Sequence, residues 1–328
     1  MAHELSALAH ELRDLGVDLE EEQDAAGFLG VSIKYDPATK TMEMRQEGLI
    51  DRCIEALGLD GTSNTATRPS TGQPLPRDAD GEPASGEFNY SSIVGMLMYL
   101  AGHTRPNIAY AVNCCARYMF CPKRSHEKAL KRIGRYLMAT RNRGMILDPN
   151  KELADILTVN CYPDADFAGM YGHEKPDDPT CVKSRTGFVI TFGGCPVIWQ
   201  SKLQTETALS TMEAEIVALA HSCRVLMPII DLTKELLSAF GLKLDSTSMN
   251  VSIHEDNAGA LVLGNTLPPG FTPRSKHYAI KTIWFREQIV RRGIKLVKID
   301  TKEQLGDIFT KGLPEPAFIY LRRKLIGW

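Results

Sequence analysis

Apolar residues recur at helical spacing at Leu5, Leu8, Ala9 and Leu12 before Gly16, which predicts a helix closed by a glycine stop. From Gly27 to Tyr35 the pattern becomes that of a strand, and Asp36-Pro-Ala-Thr-Lys40 supplies a turn. Thr41 to Met44 predicts a second strand pairing back on the first, and helical spacing resumes from Gly48 to Gly58. Residues 61–86 are polar and rich in Pro and Gly; because helices resume directly after them, they read as a surface crossing inside the first unit. Three helices are predicted between Tyr90 and Thr140, with breaks at Arg105-Pro106 and Cys121-Pro122, where a proline near a helix start is expected.

Beyond Pro149 the texture changes. Ile156 to Tyr162 predicts a strand running into Asp164-Ala-Asp166, and Thr186–Phe192 and Pro196–Gln200 predict two more, joined at Gly193-Gly194 as a meander. A long helix is predicted from Ser210 to about Phe240, then a strand from Met249 ending at Asp256. Helices at about 258–263 and 276–291, a strand at 294–299 and a helix from about Gln304 complete the order β-β-β-α-β-α-β-α. A mixed α/β sheet with flanking helices, preceded by a mostly helical region, is the expected class.

At 328 residues the chain is long enough for two cores, with units expected at 1–150 and 151–328. The formal charge of −2 hides local bias, since Glu4, Glu11, Asp14, Asp18, Glu20, Glu21, Glu22 and Asp24 face a single Arg13 near the start. Eight cysteines at irregular spacing form no zinc pattern and read as reduced core thiols. The longest apolar runs, such as Ser92–Ala101 and Val225–Ile230, fall well short of the roughly 20 residues of a membrane span. With no signal-like start, a soluble, non-secreted protein is expected. From Arg117 to Arg143 basic residues accumulate, Lys128, Lys131, Arg132 and Arg135 among them. Such a face can hold nucleic-acid phosphates, and it can equally be a solvated helix surface.

Four acids stand at element ends: Asp164, Glu213, Asp256 and Asp307. Each has a structural explanation, and Ser210-x-x-Glu213 in particular fits a capping box. Their joint pattern points elsewhere, because hydrolysis of a phosphodiester without a nucleophilic side chain needs clustered carboxylates to hold divalent ions. Hard oxygen ligands suit Mg²⁺ or Mn²⁺. No phosphate-binding glycine loop, dinucleotide fingerprint or nucleophile elbow competes. Asp166 lies two residues beyond Asp164 and so shares its strand face, and Glu215 lies two beyond Glu213 on a helix, where only one of the pair can face a site. His254 shares a strand face with Asp256 and reads as core.

Six blocks, in order, carry a resemblance: Tyr162-Pro-Asp-Ala-Asp-Phe-Ala-Gly169, Ser184-Arg-Thr-Gly-Phe-Val189, Leu209-Ser-Thr-Met-Glu-Ala-Glu215, Glu255-Asp-Asn257, Ser275-Lys-His277 and Glu303-Gln-Leu-Gly-Asp-Ile-Phe-Thr-Lys311. They resemble the ribonuclease H domains of copia-type LTR retrotransposon Pol polyproteins. The stretch from Val94 to Leu137 is similar to the region that joins polymerase to ribonuclease H in that family. The resemblance implies a ribonuclease-H-like five-stranded sheet at 151–328, preceded at 1–150 by the end of a reverse transcriptase palm with thumb and connection. It implies Asp164, Glu213, Asp256 and Asp307 as the ligands of two Mg²⁺ or Mn²⁺ ions, with Asp166 and Glu215 as rivals, and hydrolysis that leaves 5′-phosphate and 3′-hydroxyl ends. The implied partner is an RNA–DNA hybrid, within an assembly of polymerase and other Pol and Gag parts; Lys128, Lys131, Arg132 and Arg135 could meet its phosphates, Asn257 its minor groove and Arg274, Lys276 and His277 its DNA strand, with solvated-surface, turn and cap roles open as alternatives. Cytoplasmic particles with a nuclear phase are the implied location. The paired aspartates of a polymerase centre are not matched by Asp177-Asp178, which sits between Pro176 and Pro179, so DNA synthesis is expected to be absent. The alternative is a silent or domesticated remnant that binds nucleic acid.

Overall fold

The computed structural model describes residues 30–148, 157–239, 249–265 and 276–328, together with His10, Arg13, Asp14, Gly16 and Gly241. The predicted helix at Leu5–Gly16 therefore lies almost wholly outside the described residues. Strands β1 (Ser32–Asp36) and β2 (Thr41–Arg45) form the expected hairpin, and β3 (Met145–Leu147) adds to its β2 edge. Its turn closes because Asp36 accepts from the Ala38 amide at 2.9 Å and the Thr39 hydroxyl at 2.9 Å. Helix α1 (Glu47–Ala56) leads to the crossing at 61–86, followed by α2 (Tyr90–His103), α3 (Ala109–Ala116) and α4 (Arg124–Ala139). Asn89 caps α2 by accepting from Ser92 N at 2.9 Å.

The second half is built on β4 (Leu157–Asp166), β5 (Arg185–Phe192), β6 (Cys195–Leu203), β7 (Met249–Glu255) and β8 (Lys295–Lys298). Their order is β6-β5-β4-β7-β8, with the β6-β5-β4 meander antiparallel and β4, β7 and β8 mutually parallel. Helix α5 (Thr211–Ala239) joins the meander to β7, while α6 (Ala258–Asn265) and α7 (Lys276–Arg292) join β7 to β8. Crossovers of this kind are what parallel neighbours require. Two helices close the chain, the short α8 (Asp307–Thr310) and α9 (Glu315–Ile326), where one helix from Gln304 had been expected. The first ends where Lys311 turns extended, and Pro314 stands at the N-cap of the second.

Side chains alternate across the sheet. Phe188 and Ile190 of β5 join Val159, Cys161, Val251 and Ile253 in a core covered by α5 and α7, through Ile216, Leu219, Leu226 and Phe285. Val189 faces the other way, into a core that unites α1–α4 with Ile308, Phe309, Phe318, Leu321 and Leu325 of the C-terminal helices. That second core thus draws side chains from both sides of residue 150, and residues 149–156 lie outside those described. Polar ties reinforce it, since Trp199 Nε1 donates to Ala101 O at 2.8 Å and Trp328 Nε1 to Gly144 O at 2.6 Å. The fully buried Arg105 guanidinium donates to Thr140 O at 3.2 Å and lies 5.2 Å from the Trp328 ring.

Helix α5 departs from the reading that every apolar run is short. By length and composition it could cross a membrane, with a mean hydropathy of 1.5 over its most apolar window, yet half of that window is buried inside the fold. A helix that packs one face on a sheet and touches α7 with another has the same composition as a span.

Candidate carboxylate site

The register of the parallel pair sets the site. Cys161 stands opposite Ile253, and the same register continued by three residues puts Asp164 level with Asp256, just past the end of β7. Glu215 arrives from the first turns of α5. One carboxylate oxygen from each of Asp164, Glu215 and Asp256 lies within 4.8 Å of the others. Asp164 and Glu215 are buried and Asp256 is half-exposed, so the cluster opens to solvent on one side.

Glu213 is not in this cluster. Its amide donates to Ser210 Oγ at 3.1 Å, and its carboxylate accepts from Leu209 N at 2.8 Å, so it performs the capping role that its spacing had also allowed. The expectation of Glu213 as the helix acid is therefore corrected in favour of its rival Glu215. The physical reason is the helical period: two positions turn the side chain by roughly 200°, and Glu213 is turned toward the chain that enters the helix. A buried-side pattern would have found Glu215, because it falls between the buried Ala214, Ile216, Ala218 and Leu219.

Asp307 comes near Asp164 from the first residue of α8. Thr310 Oγ1 donates to Asp164 Oδ2, and Lys311 Nζ lies 2.7 Å from Asp307 Oδ1 and 3.7 Å from Asp164 Oδ2. Asp164 is thus the hinge between two acidic groupings, one with Glu215 and Asp256 and one with Asp307 and the Lys311 ammonium. Asp166, the rival of Asp164, lies outside the three-acid cluster; burial raises its pKa, and Lys311 pulls it down.

Two glycines and a glutamine let α8 come this close. A Cβ at Gly306 would meet Asp164 Cβ at 2.7 Å and Tyr162 O at 2.8 Å, and one at Gly187 would meet Thr310 Cγ2 at 2.6 Å. Gln304, fully buried, donates to Pro163 O at 2.9 Å and His254 O at 3.0 Å and accepts from Gly306 N at 3.1 Å. It staples the loop before Asp307 to the ends of β4 and β7. Gln304, Lys311 and Glu255 belong to the site although the acid pattern alone did not single them out.

The electrostatics are those of acids gathered without enough cations. Burial first, then Asp164, Glu255 and Asp256, pushes the Glu215 carboxyl far above the ordinary range. Burial, partly offset by the hydrogen bond from the Asn257 amide at 2.9 Å, lifts Glu255 to about 8. Burial and the nearby Asp164 lift Asp307 to about 7. Glu215 Oε2 and Glu255 Oε2 are buried with no hydrogen-bond partner among the described residues. Orphaned buried oxygens beside like charges fit a divalent cation of the Mg²⁺ or Mn²⁺ type, whose ligands are hard oxygens. Asp164, Glu215 and Asp256 could hold one ion, and Asp164 with Asp307 could contribute to a second.

The expected nucleic-acid residues are dispersed. Lys128, Arg132 and Arg135 share one face of α4, whereas Lys131 points elsewhere, paired with Glu87 at 2.9 Å. Asn257 Oδ1 caps α6 by accepting from Ala260 N at 3.0 Å. Arg274 lies outside the described residues, as do the side chains of Lys276 and His277. His254, expected in the core, is half-buried, stacked 4.6 Å from the Tyr162 ring with Nε2 3.1 Å from Asn160 Oδ1. In the Asp177-Asp178 loop, Asp178 accepts from Thr180 N at 2.8 Å and faces Arg77 at 3.5 Å.

A sheet of order 3-2-1-4-5 with an antiparallel meander, two parallel additions and acids at the end of its central strand is a ribonuclease-H-like α/β fold. Over most of its length the chain is a homologue, at about 30% identity, of retrotransposon Pol polyproteins. It is 32% identical over 300 residues to the retrovirus-related Pol polyprotein from transposon RE1 of Arabidopsis thaliana, a match that covers 92% of this chain and 19% of that protein. It is 31% identical over 325 residues to the corresponding RE2 polyprotein of the same plant, covering 99% and 20%. Against the TNT 1-94 polyprotein of Nicotiana tabacum it is 29% identical over 316 residues, covering 94% and 22%. The chain spans about a fifth of the length of these relatives. No family model matches the sequence. LC11 ribonuclease H1, isolated from compost by a metagenomic approach, superposes with a TM-score of 0.32 at 16% identity, covering 46% of this chain and 89% of its own. So loose a superposition carries no argument, and the fold is read from the strand order.

Proposed function

We propose that this chain is the ribonuclease H of a copia-type retrotransposon and cleaves the RNA strand of RNA–DNA hybrids. The observation that carries the reading is the meeting of Asp164, Glu215 and Asp256 within 4.8 Å, with Asp307 near Asp164. Divalent ions, when bound, supply a water made nucleophilic near neutral pH and neutralise charge on the scissile phosphate and the departing 3′ oxygen. Asp164, bridging both groupings, fixes their separation. Glu215 and Asp256 define the half of the site open to solvent. Asp307 and Lys311 define the other half, where Lys311 supplies a positive charge beside the phosphate position. Gln304 and Gly306 position Asp307 without touching substrate.

The test is cleavage of a labelled hybrid by the purified chain in Mg²⁺ or Mn²⁺, set beside Asp164→Asn and Asp256→Asn. The expected products carry 5′-phosphate and 3′-hydroxyl ends from the RNA strand alone. Equal rates for wild type and both variants would sink the enzyme reading. A second reading, hybrid binding without cleavage, draws on Lys311, whose ammonium stands between Asp307 and Asp164 where a second ion would otherwise bind. It predicts tight hybrid binding with no metal-dependent product.

A further inference from the structure

Helix α4 turns Lys128, Arg132 and Arg135, spaced at i, i+4 and i+7, into a cavity of about 340 Å³ closed on its other side by the 61–86 crossing. That volume lies in the range of small-ligand sites, roughly 300–1,000 Å³. The lining contains three cations and no acid. Arg132 Nε and Arg135 Nε are buried without a hydrogen-bond partner among the described residues. Burial and the neighbouring Arg68 and Arg135 loosen the hold of Arg132 on its proton, with Glu315 the one acid acting against them. Glu315 is itself engaged by the Thr67 hydroxyl at 2.8 Å, and Arg68 is spent on the carbonyl of Leu313. Asp78, near the rim, accepts from Ser125 at 2.6 Å. Clustered guanidiniums with open donors and no ion-paired acid among the described residues are a receptor for a phosphate, which accepts from planar guanidinium forks.

Pro74, Leu75 and Tyr110 give the wall an apolar stretch beside the polar Ser70, Thr71 and Gln73. Tyr110 also connects the cavity to the carboxylate end. Its ring lies 5.3 Å under the guanidinium of Arg185, and Arg185 stands opposite Asp166 across the sheet. The geometry points to a subsite for one nucleotide unit, its phosphate on Arg132 and Arg135 and its base on the Tyr110–Leu75–Pro74 wall. The unit comes from a nucleic-acid strand or from a free mononucleotide, two sources with the same chemistry. This subsite rests on the nucleic-acid part of the reading above and adds a position that the carboxylates do not define.

The test uses the full chain in EDTA, so that cleavage plays no part, with anisotropy of a short fluorescein-labelled single strand as the readout. The double variant Arg132→Gln/Arg135→Gln should weaken binding at least tenfold and flatten the salt slope by about 1.4, the release expected for two phosphate contacts on a single strand. Lys131→Gln, off the cavity, should change it less than twofold. dAMP should compete better than inorganic phosphate; an affinity below that of the strand assigns the strand as occupant, and one at or above it assigns the free nucleotide, either result supporting the subsite. Unchanged affinity in a double variant with a native circular dichroism spectrum overturns it, as does an equal loss from Lys131→Gln. Equal competition by phosphate and dAMP overturns the base position. Asp256→Asn should leave strand binding intact, so a nuclease that fails to cut and a subsite that fails to bind are told apart.

Discussion

The carboxylate end of the sheet and the arginine face of α4 present the same physical problem with opposite sign. At the first, Asp164, Glu215, Glu255, Asp256 and Asp307 converge with Lys311 as the cation in ion-pair contact with them. At the second, Lys128, Arg132 and Arg135 line a cavity that has no acid. Buried like charges cost stability and persist where packing over-determines them. The difference lies in how they are assembled. The acids come from β4, α5, the end of β7 and α8, elements far apart in the chain, whereas the cations come from one helix face. A site built from several elements is rigid and specific in geometry, as cation coordination demands; one built along a helix tracks an extended anion.

The largest effect that could break this comparison is catalytic. Glu215→Gln should lower hybrid cleavage by about 10²–10³-fold, the cost of removing one group that stabilises developing charge. Glu213→Ala should change it less than threefold and cost about 1 kcal/mol of stability through the lost hydrogen bond from Leu209 N, read by urea denaturation. The reverse ranking would restore Glu213 to the site. Next in size is packing: Gly306→Ala drives a methyl against Asp164 and Tyr162 O, and should cost about 1–3 kcal/mol while weakening Mn²⁺ binding measured by calorimetry. An unaltered Mn²⁺ isotherm would show that α8 does not need this close approach.

Smaller, and opposite in sign to ordinary acid denaturation, is the pH response of the metal-free chain. Glu255 and Asp307 have folded pKa values of about 8 and about 7, raised above their ordinary 4.5 and 3.8. Well below pH 3.8 both are protonated in either state; as pH climbs toward 8 the unfolded chain gives up protons that the folded chain keeps, and folding weakens. The Tm in EDTA should therefore fall from pH 5 to pH 8, and Mg²⁺ should reverse the fall by binding the ionised folded form. A Tm that rises over this window would show that the acids are already compensated. The smallest expected effect is that of Lys131→Gln, because its pair with Glu87 is exposed and worth little.

The strands at Thr186–Phe192 and ending at Asp256 were legible as short, β-branched or aromatic runs bounded by turn residues, which is how strands covered on both faces read. The acids were legible as a set, since few chemistries need that many carboxylates at element ends. The fold places Asp164 beside Asp256 and links Asp307 to Asp164 through Lys311, whereas it turns Glu213 away from them. The capping spacing of Glu213 and its candidacy as a ligand produced the same pattern, and only the orientation of α5 on the sheet separated it from Glu215. The composition of the basic segment was plain as well, but not that Lys131 would turn to Glu87 while Arg132 and Arg135 turned inward.

By itself the sequence determined the element types, the order of the second-half strands and the chemistry available, because hydrophobic period, turn residues and acid placement are local properties. The tertiary structure decided which acids meet. That depends on the β4–β7 register that levels Asp164 with Asp256, and on Gly187, Gly306 and Gln304, which let α8 dock. It also decided that the crossing at 61–86 would roof a cationic cavity, since a Pro- and Gly-rich segment records no period of its own and takes its path from the surfaces it packs against.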